Sequence, residues 1–220
     1  MSSAGGSPAA PSRAPGLVTI IDYGLGNLRS VAGAVHRLGF PFRISREKSD
    51  LEAADRLILP GVGAFGDGMN NLHELGLVPL LQRLVVEQKK PILGICLGCQ
   101  LLARESFEFG HHRGLGWIDA SVVRLAPPDP GLRVPHVGWN DLYPVRPCPL
   151  WEGVPSSALF YYVHSFHVDC RDLGLVVGEC LYGSRFVAAV QKGNIYGTQF
   201  HPEKSQLHGL TVLRNFLERG

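Results

Sequence analysis

Three short apolar runs in the first half of the chain each break at a glycine-bearing turn and lead into apolar residues at helical spacing. Leu17-Val18-Thr19-Ile20-Ile21-Asp22 opens into Tyr23 to Asn27, then Leu28, Val31, Val35 and Leu38, with Gly39 as a natural C-cap. Arg56 to Leu59 opens into Pro60-Gly61-Val62-Gly63-Ala64-Phe65, with Leu77, Leu80, Leu81, Leu84 and Val85 marking a helix further on. Pro91 to Ile95 runs straight into the turn at Cys96 and a helix beginning Gln100-Leu101-Leu102. Strands separated by helices cannot be joined by tight hairpins, so the pattern requires crossover connections and parallel pairing. The expected fold is α/β: a Rossmann-like or flavodoxin-like open, mostly parallel sheet with helices on both faces.

The second half changes character. Pro127, Pro128, Pro130 and Gly131 mark a loop, and Ala158–Val168, Val176–Tyr182, Phe186–Gln191 and Ile195–Phe200 alternate without helices between them, so a smaller antiparallel section is expected. Lys192-Gly193-Asn194 is the turn between the last two. Ser205 is placed to cap a closing helix carrying Leu210, Leu213, Phe216 and Leu217.

With 220 residues, 45% hydrophobic and 18% charged, the chain suits one domain over 17–220. Its net charge of +2 is spread along the sequence, which argues against nucleic acid or an anionic membrane surface as a partner. The apolar stretch Leu77–Val86 is interrupted by Pro79, Gln82 and Arg83 and falls short of the roughly 18 residues of a membrane span. Residues 1–16 are almost all Ser, Ala, Gly and Pro and read as a disordered tail; without an apolar central region they do not read as a secretory signal, so a cytoplasmic location is expected. An odd count of five cysteines points to reduced thiols.

Chemistry concentrates at Gly94-Ile95-Cys96-Leu97-Gly98. A thiol on a sharp strand-to-helix turn is exposed to attack a substrate, flanking glycines permit the bend, and the helix beyond favours negative charge on sulfur. His201-Pro202-Glu203 supplies a base and a carboxylate to orient it, and Gly61-Val62-Gly63 supplies backbone N–H groups at the same sheet edge. Together these describe acyl transfer. Other patterns are weaker. Gly24-Leu25-Gly26 would place the third glycine of a dinucleotide fingerprint at Arg29, so it reads as a tight turn with Asn27 at a helix start. Cys96 and Cys99 form a C-x-x-C, but no second such pair completes a zinc site, and a thiol-disulfide exchange protein needs neither the glycine bracket nor a distant His-x-Glu; Cys99 reads as a small core residue. His36, His73 and His208 sit in helical patterns. His136, His164 and His167 sit in strand-like runs that place His164 opposite His167 and read as structural or partner-facing.

The run Gly94 to Gln100 resembles the nucleophile turn G-x-C-x-G-x-Q of class I, triad-type glutamine amidotransferases, and the likeness extends from Leu17 to the C-terminus. Pro60 to Phe65, Pro135-His136-Val137-Gly138-Trp139-Asn140, Tyr161 to Phe166 and Gly197 to Ser205 are similar, within that class, to the glutaminase subunits of imidazole glycerol phosphate synthase. The runner-up group, glutaminases of pyridoxal phosphate synthesis, lacks the Pro135–Asn140 element. The resemblance implies hydrolysis of L-glutamine through Cys96, His201 and Glu203, with no cofactor and no metal. It implies that Leu97 and the Gly61–Gly63 loop supply the oxyanion donors. Gln100, Glu108, Ser165 and Phe166 would hold glutamine. It also implies a heterodimer in which ammonia passes to a (β/α)₈ synthase subunit facing Asn27, Trp139, Tyr161 and Lys204, the two aromatics forming an apolar gate.

Overall fold

The expected alternation builds one half of an eight-stranded sheet. In a computed structural model that describes residues 16–220, strands β1 (Val18–Ile21), β2 (Phe42–Ser45), β3 (Arg56–Gly61) and β4 (Ile92–Cys96) lie side by side in the order β2-β1-β3-β4, all parallel. The tail expected over 1–16 falls, apart from Gly16, outside the described residues. The sheet continues through Ile195–Thr198, Ser184–Lys192, Val176–Tyr182 and Tyr143–Pro144. Ile195–Thr198 corrects the expectation of a purely antiparallel set, since it pairs antiparallel with Ser184–Lys192 but parallel with β4. That strand therefore sets the residues after Thr198 beside the end of β4, with Thr198 opposite Ile95.

Because side chains alternate across a strand, Ile21, Leu57, Leu59 and Ile92 enter one core while Val18, Ile20, Ile58, Leu93 and Ile95 enter the other. Leu72, Leu77, Leu81 and Leu84 cover the first face. The second is covered by Val31 and Val35 of the helix Leu28–Arg37 and by Leu213 and Phe216 of the helix Gln206–Arg219. Each such fully buried aliphatic or aromatic side chain contributes roughly 1.5–3 kcal/mol. Helices on both faces of a mostly parallel sheet match the expected class.

Sequence patterning does not mark β2, whose Phe-Arg-Ile-Ser is only half-buried, nor the helix Phe65–Glu74, where Gly66 and Gly68 lower helix propensity. The helix expected around Leu77–Val85 is α-helical over Leu77–Leu81 and continues as a π-helical turn over Gln82–Glu87. The expected strand Ala158–Val168 is two strands broken at Ser165. Leu159–His164 pairs with His136–Asp141 in a separate two-stranded ribbon, and Phe166–Cys170 pairs with Ile118–Arg124 in a four-stranded sheet. The break also overturns the expected separation of His164 and His167, since both rings pack on Phe186 with centroids 5.0 and 5.7 Å away.

Candidate active site

Cys96 is the last residue of β4 and adopts φ 54°, ψ −109°, a conformation that is costly for a residue with a side chain. The helix that follows is short, Leu97–Leu101. Its packing gives the glycine bracket a role beyond permitting the bend. A Cβ at Gly98 would run into the backbone carbonyl of Leu59 in β3, and one at Gly94 would lie 2.6 Å from the carbonyl oxygen of Gly98. The two glycines let the elbow press directly on the sheet, with Gly61 of β3 in register with Cys96.

His201 reaches the elbow because Ile195–Thr198 lies parallel to β4. Its backbone is tied on both sides, its N–H donating to the Tyr161 carbonyl at 2.9 Å and its carbonyl accepting from Ser205 Oγ at 2.6 Å. Ser205 Oγ also accepts from Tyr161 N at 2.9 Å, so the serine expected to cap the closing helix instead makes no side-chain cap bond and anchors the histidine loop. The imidazole Nδ1 donates to Glu203 Oε1 at 2.8 Å, with both side chains at most 2% exposed. Nε2 is buried without a hydrogen-bond partner, free for a proton in transit. Burial opposes charge on His201, but the neighbouring Cys96 sulfur and the Glu203 carboxylate outweigh it and push the imidazole pKa up to about 9. A histidine pKa raised on folding stabilises the fold fully below its ordinary value of 6.5, and that contribution is lost as pH rises through about 9. Glu203→Gln removes one of the two supports, so an NMR titration of the His201 ring is expected to show a lower midpoint in that variant.

A cavity of about 300 Å³ opens beside the thiol, bordered by Val62, Gly63, Leu97, Gln100, Glu108, Ser165 and Phe166 together with Pro135, Val163 and His164. The structure thus gathers Cys96 and all the residues expected to bind substrate except Gly61, which lies behind them in β3. Glu108 Oε2 accepts the Phe65 N–H at 2.7 Å, tying the cavity wall to the end of the Gly61–Gly63 loop and complementing the positive end of the helix Phe65–Glu74. Gln100 Nε2 donates to the Phe166 carbonyl at 2.8 Å and to Gln199 Oε1 at 3.0 Å, and Gln199 Nε2 lies 3.7 Å from Cys96 Sγ. Gln199 was not identified in the sequence; only its position two residues before His201 could have drawn attention to it. Tyr23 was also missed: its buried hydroxyl has no partner and lies against Gly61.

Of the residues expected to face a partner, Trp139 and Tyr161 are cross-strand neighbours in the ribbon, with ring centroids 5.9 Å apart. Lys204 Nζ sits 5.6 Å from the Tyr161 ring, which is itself 6.4 Å from His201. Trp139 is 44% exposed and so does not belong to the core. Asn27 is exposed and caps the helix Leu28–Arg37 through a bond from Ser30 N at 3.3 Å. Cys99 is 2% exposed, and burial pushes its thiol well above the ordinary range, the opposite of what a redox cysteine needs. Among the described residues, no group of three or more His, Cys, Asp or Glu side chains is arranged to hold a metal ion.

Residues 19–219 match the family model for class I glutamine amidotransferases. The chain belongs to that family. Curated relatives of this amidotransferase carry the name imidazole glycerol phosphate synthase subunit HisH. One from Campylobacter jejuni is 47% identical, covering 91% of this chain and 99% of its own length; one from Moorella thermoacetica is 47% identical, covering 91% and 94%. A solved glutamine amidotransferase superposes with a TM-score of 0.69 at 27% identity, covering 91% of this chain and 97% of its own. The PurLQS structure from Thermotoga maritima, at a TM-score of 0.70 and 20% identity over 91% and 97%, shares the fold.

Proposed function

We propose that this amidotransferase is the glutaminase subunit of an imidazole glycerol phosphate synthase, releasing ammonia from L-glutamine for histidine biosynthesis. The observation that carries the reading is the buried His201–Glu203 pair coupled to the Cys96 sulfur at the mouth of the substrate-sized cavity. Cys96 Sγ, its proton already held on His201 Nε2, attacks the side-chain amide carbon of glutamine as the thiolate, forming a C–S bond. The negative oxygen is met by the Leu97 N–H, which has no partner within its helix, and by an N–H of the Gly61–Gly63 loop, each contributing roughly 3 kcal/mol to lowering the barrier. The C–N bond then breaks, His201 returns the proton to nitrogen, and ammonia leaves a glutamyl thioester. Water, giving its proton to His201, adds to the thioester; the C–S bond breaks, the sulfur returns to the thiolate beside protonated His201 and glutamate departs.

The destination of the ammonia is a (β/α)₈ synthase subunit docked on the face carrying Asn27, Trp139, Tyr161 and Lys204. The relatives' subunit names and the exposed apolar patch beside His201 support a heterodimer of this kind. Among the described residues no helix is long and apolar enough to cross a membrane, and we place the enzyme in the cytoplasm.

The test is ammonia release from glutamine with and without the synthase subunit loaded with its acceptor. Strong stimulation by the loaded subunit is expected, and equal rates in both states would contradict the coupling. Cys99→Ala is expected to leave ammonia release intact, because the Cys99 thiol packs against Gly197 inside the core. A thiol-disulfide protein would lose its activity with the same change.

A further inference from the structure

The ribbon of His136–Asp141 and Leu159–His164 has two unlike faces. Val137, Trp139, Leu159 and Tyr161 point outward and are at least partly exposed. His136 and His164 point inward and are 3% and 6% exposed. His136 lies between the rings of Tyr182 and Tyr162, with centroids 4.0 and 5.0 Å away.

The inner polar groups form one continuous path. Asn140 Nδ2 is 3.3 Å from His136 Nε2, His136 Nδ1 is 3.2 Å from His164 Nε2, and His164 Nδ1 is 2.9 Å from the Phe166 carbonyl oxygen. That oxygen also accepts from Gln100, whose amide reaches Gln199 and through it the Cys96 sulfur. The direction of every bond is determined. A carbonyl only accepts, so His164 carries its proton on Nδ1 and accepts at Nε2; His136 then carries its proton on Nδ1 and accepts at Nε2 from the Asn140 amide. Burial holds both rings neutral, lowering His136 to about 4 and His164 to about 3.

We propose that His136 and His164 are positioning residues that lock the Phe166 and Gln100 wall of the glutamine pocket to the ribbon carrying Trp139 and Tyr161. The hydrogen-bonded path is a rigid link, with one proton arrangement, between the inner surface of the ribbon and the pocket. A subunit seated on the outer surface would hold the pocket through it. This inference rests on the glutaminase reading and deepens it.

Two measurements test it on the full chain. In ¹⁵N-labelled protein at neutral pH, both His136 and His164 are expected as neutral Nδ1–H tautomers; an Nε2–H tautomer or a charged ring at either position overturns the proposal, whatever the activity. In the complex with loaded synthase, His136→Leu is expected to raise the KM for glutamine about 10-fold, the size of one lost buried hydrogen bond, with a smaller change in kcat. His136→Asn, whose amide nitrogen stands where Nδ1 was, is expected to recover most of that loss. If the two variants behave alike, the link contributes nothing. A wild-type complex that releases no ammonia would count against the glutaminase reading, whereas the tautomers judge the link independently.

Discussion

Cys96→Ala is expected to lower glutamine hydrolysis by about 10⁴-fold or more, the scale seen when the nucleophile of a covalent mechanism is removed. No other group takes its place. Cys99 is enclosed in the core, the Glu108 carboxylate in the cavity wall is already bound to Phe65 N, and the Ser165 hydroxyl in that wall is not coupled to His201 as the Cys96 sulfur is. The fold should survive, because alanine occupies the same φ of 54° with a smaller side chain and the thiol's contacts to Gln199 and the Val163 carbonyl are long, at 3.7 and 3.9 Å. Ammonia release and thermal unfolding measured together separate the two effects: activity gone, Tm nearly unchanged. A variant that unfolds as readily as it loses activity would mean that the thiol holds the elbow together.

Gly98→Ala acts in the opposite sense, through structure. The added carbon meets the Leu59 carbonyl, which is backbone in the interior of β3 and cannot swing aside as a side-chain tip would. Either β3 and the elbow separate or the helix Leu97–Leu101 shifts, moving Cys96 from the Gly61 loop. Overpacking of this kind costs roughly 3 kcal/mol or more, a large share of a typical total of about 5–15 kcal/mol. Gly33→Ala is the control. Gly33 lies on the exposed side of the helix Leu28–Arg37 with nothing near the added carbon, so alanine there is expected to stabilise by about 0.5–1 kcal/mol. Urea unfolding of the two variants should move in opposite directions.

Local patterns were legible in the sequence. The buried strands β1, β3 and β4, the glycine turns after them and the His201-Pro202-Glu203 step announce themselves because each is written in consecutive residues. What remained hidden depends on pairing across the fold. Ile195–Thr198 reads as one more alternating strand, yet its parallel seat on β4 is what delivers His201 to Cys96. Ser165 carries no turn signal, so the break that sends Leu159–His164 and Phe166–Cys170 to different sheets could not be seen. Ser205 looks like a helix cap and serves as a tether for His201, because Tyr161, distant in sequence, offers its N–H. Gln199, His136 and His164 gain meaning only from partners on other strands.

The most direct test of the Cys96 assignment is to quench the wild-type complex with acid while it turns over glutamine and map the adduct by peptide mass spectrometry. One glutamyl group is expected on the peptide containing Cys96, bound to that sulfur and absent from Cys96→Ala. Ammonia release with the adduct on Cys99, or by the Cys96→Ala variant at the wild-type rate, would contradict the assignment.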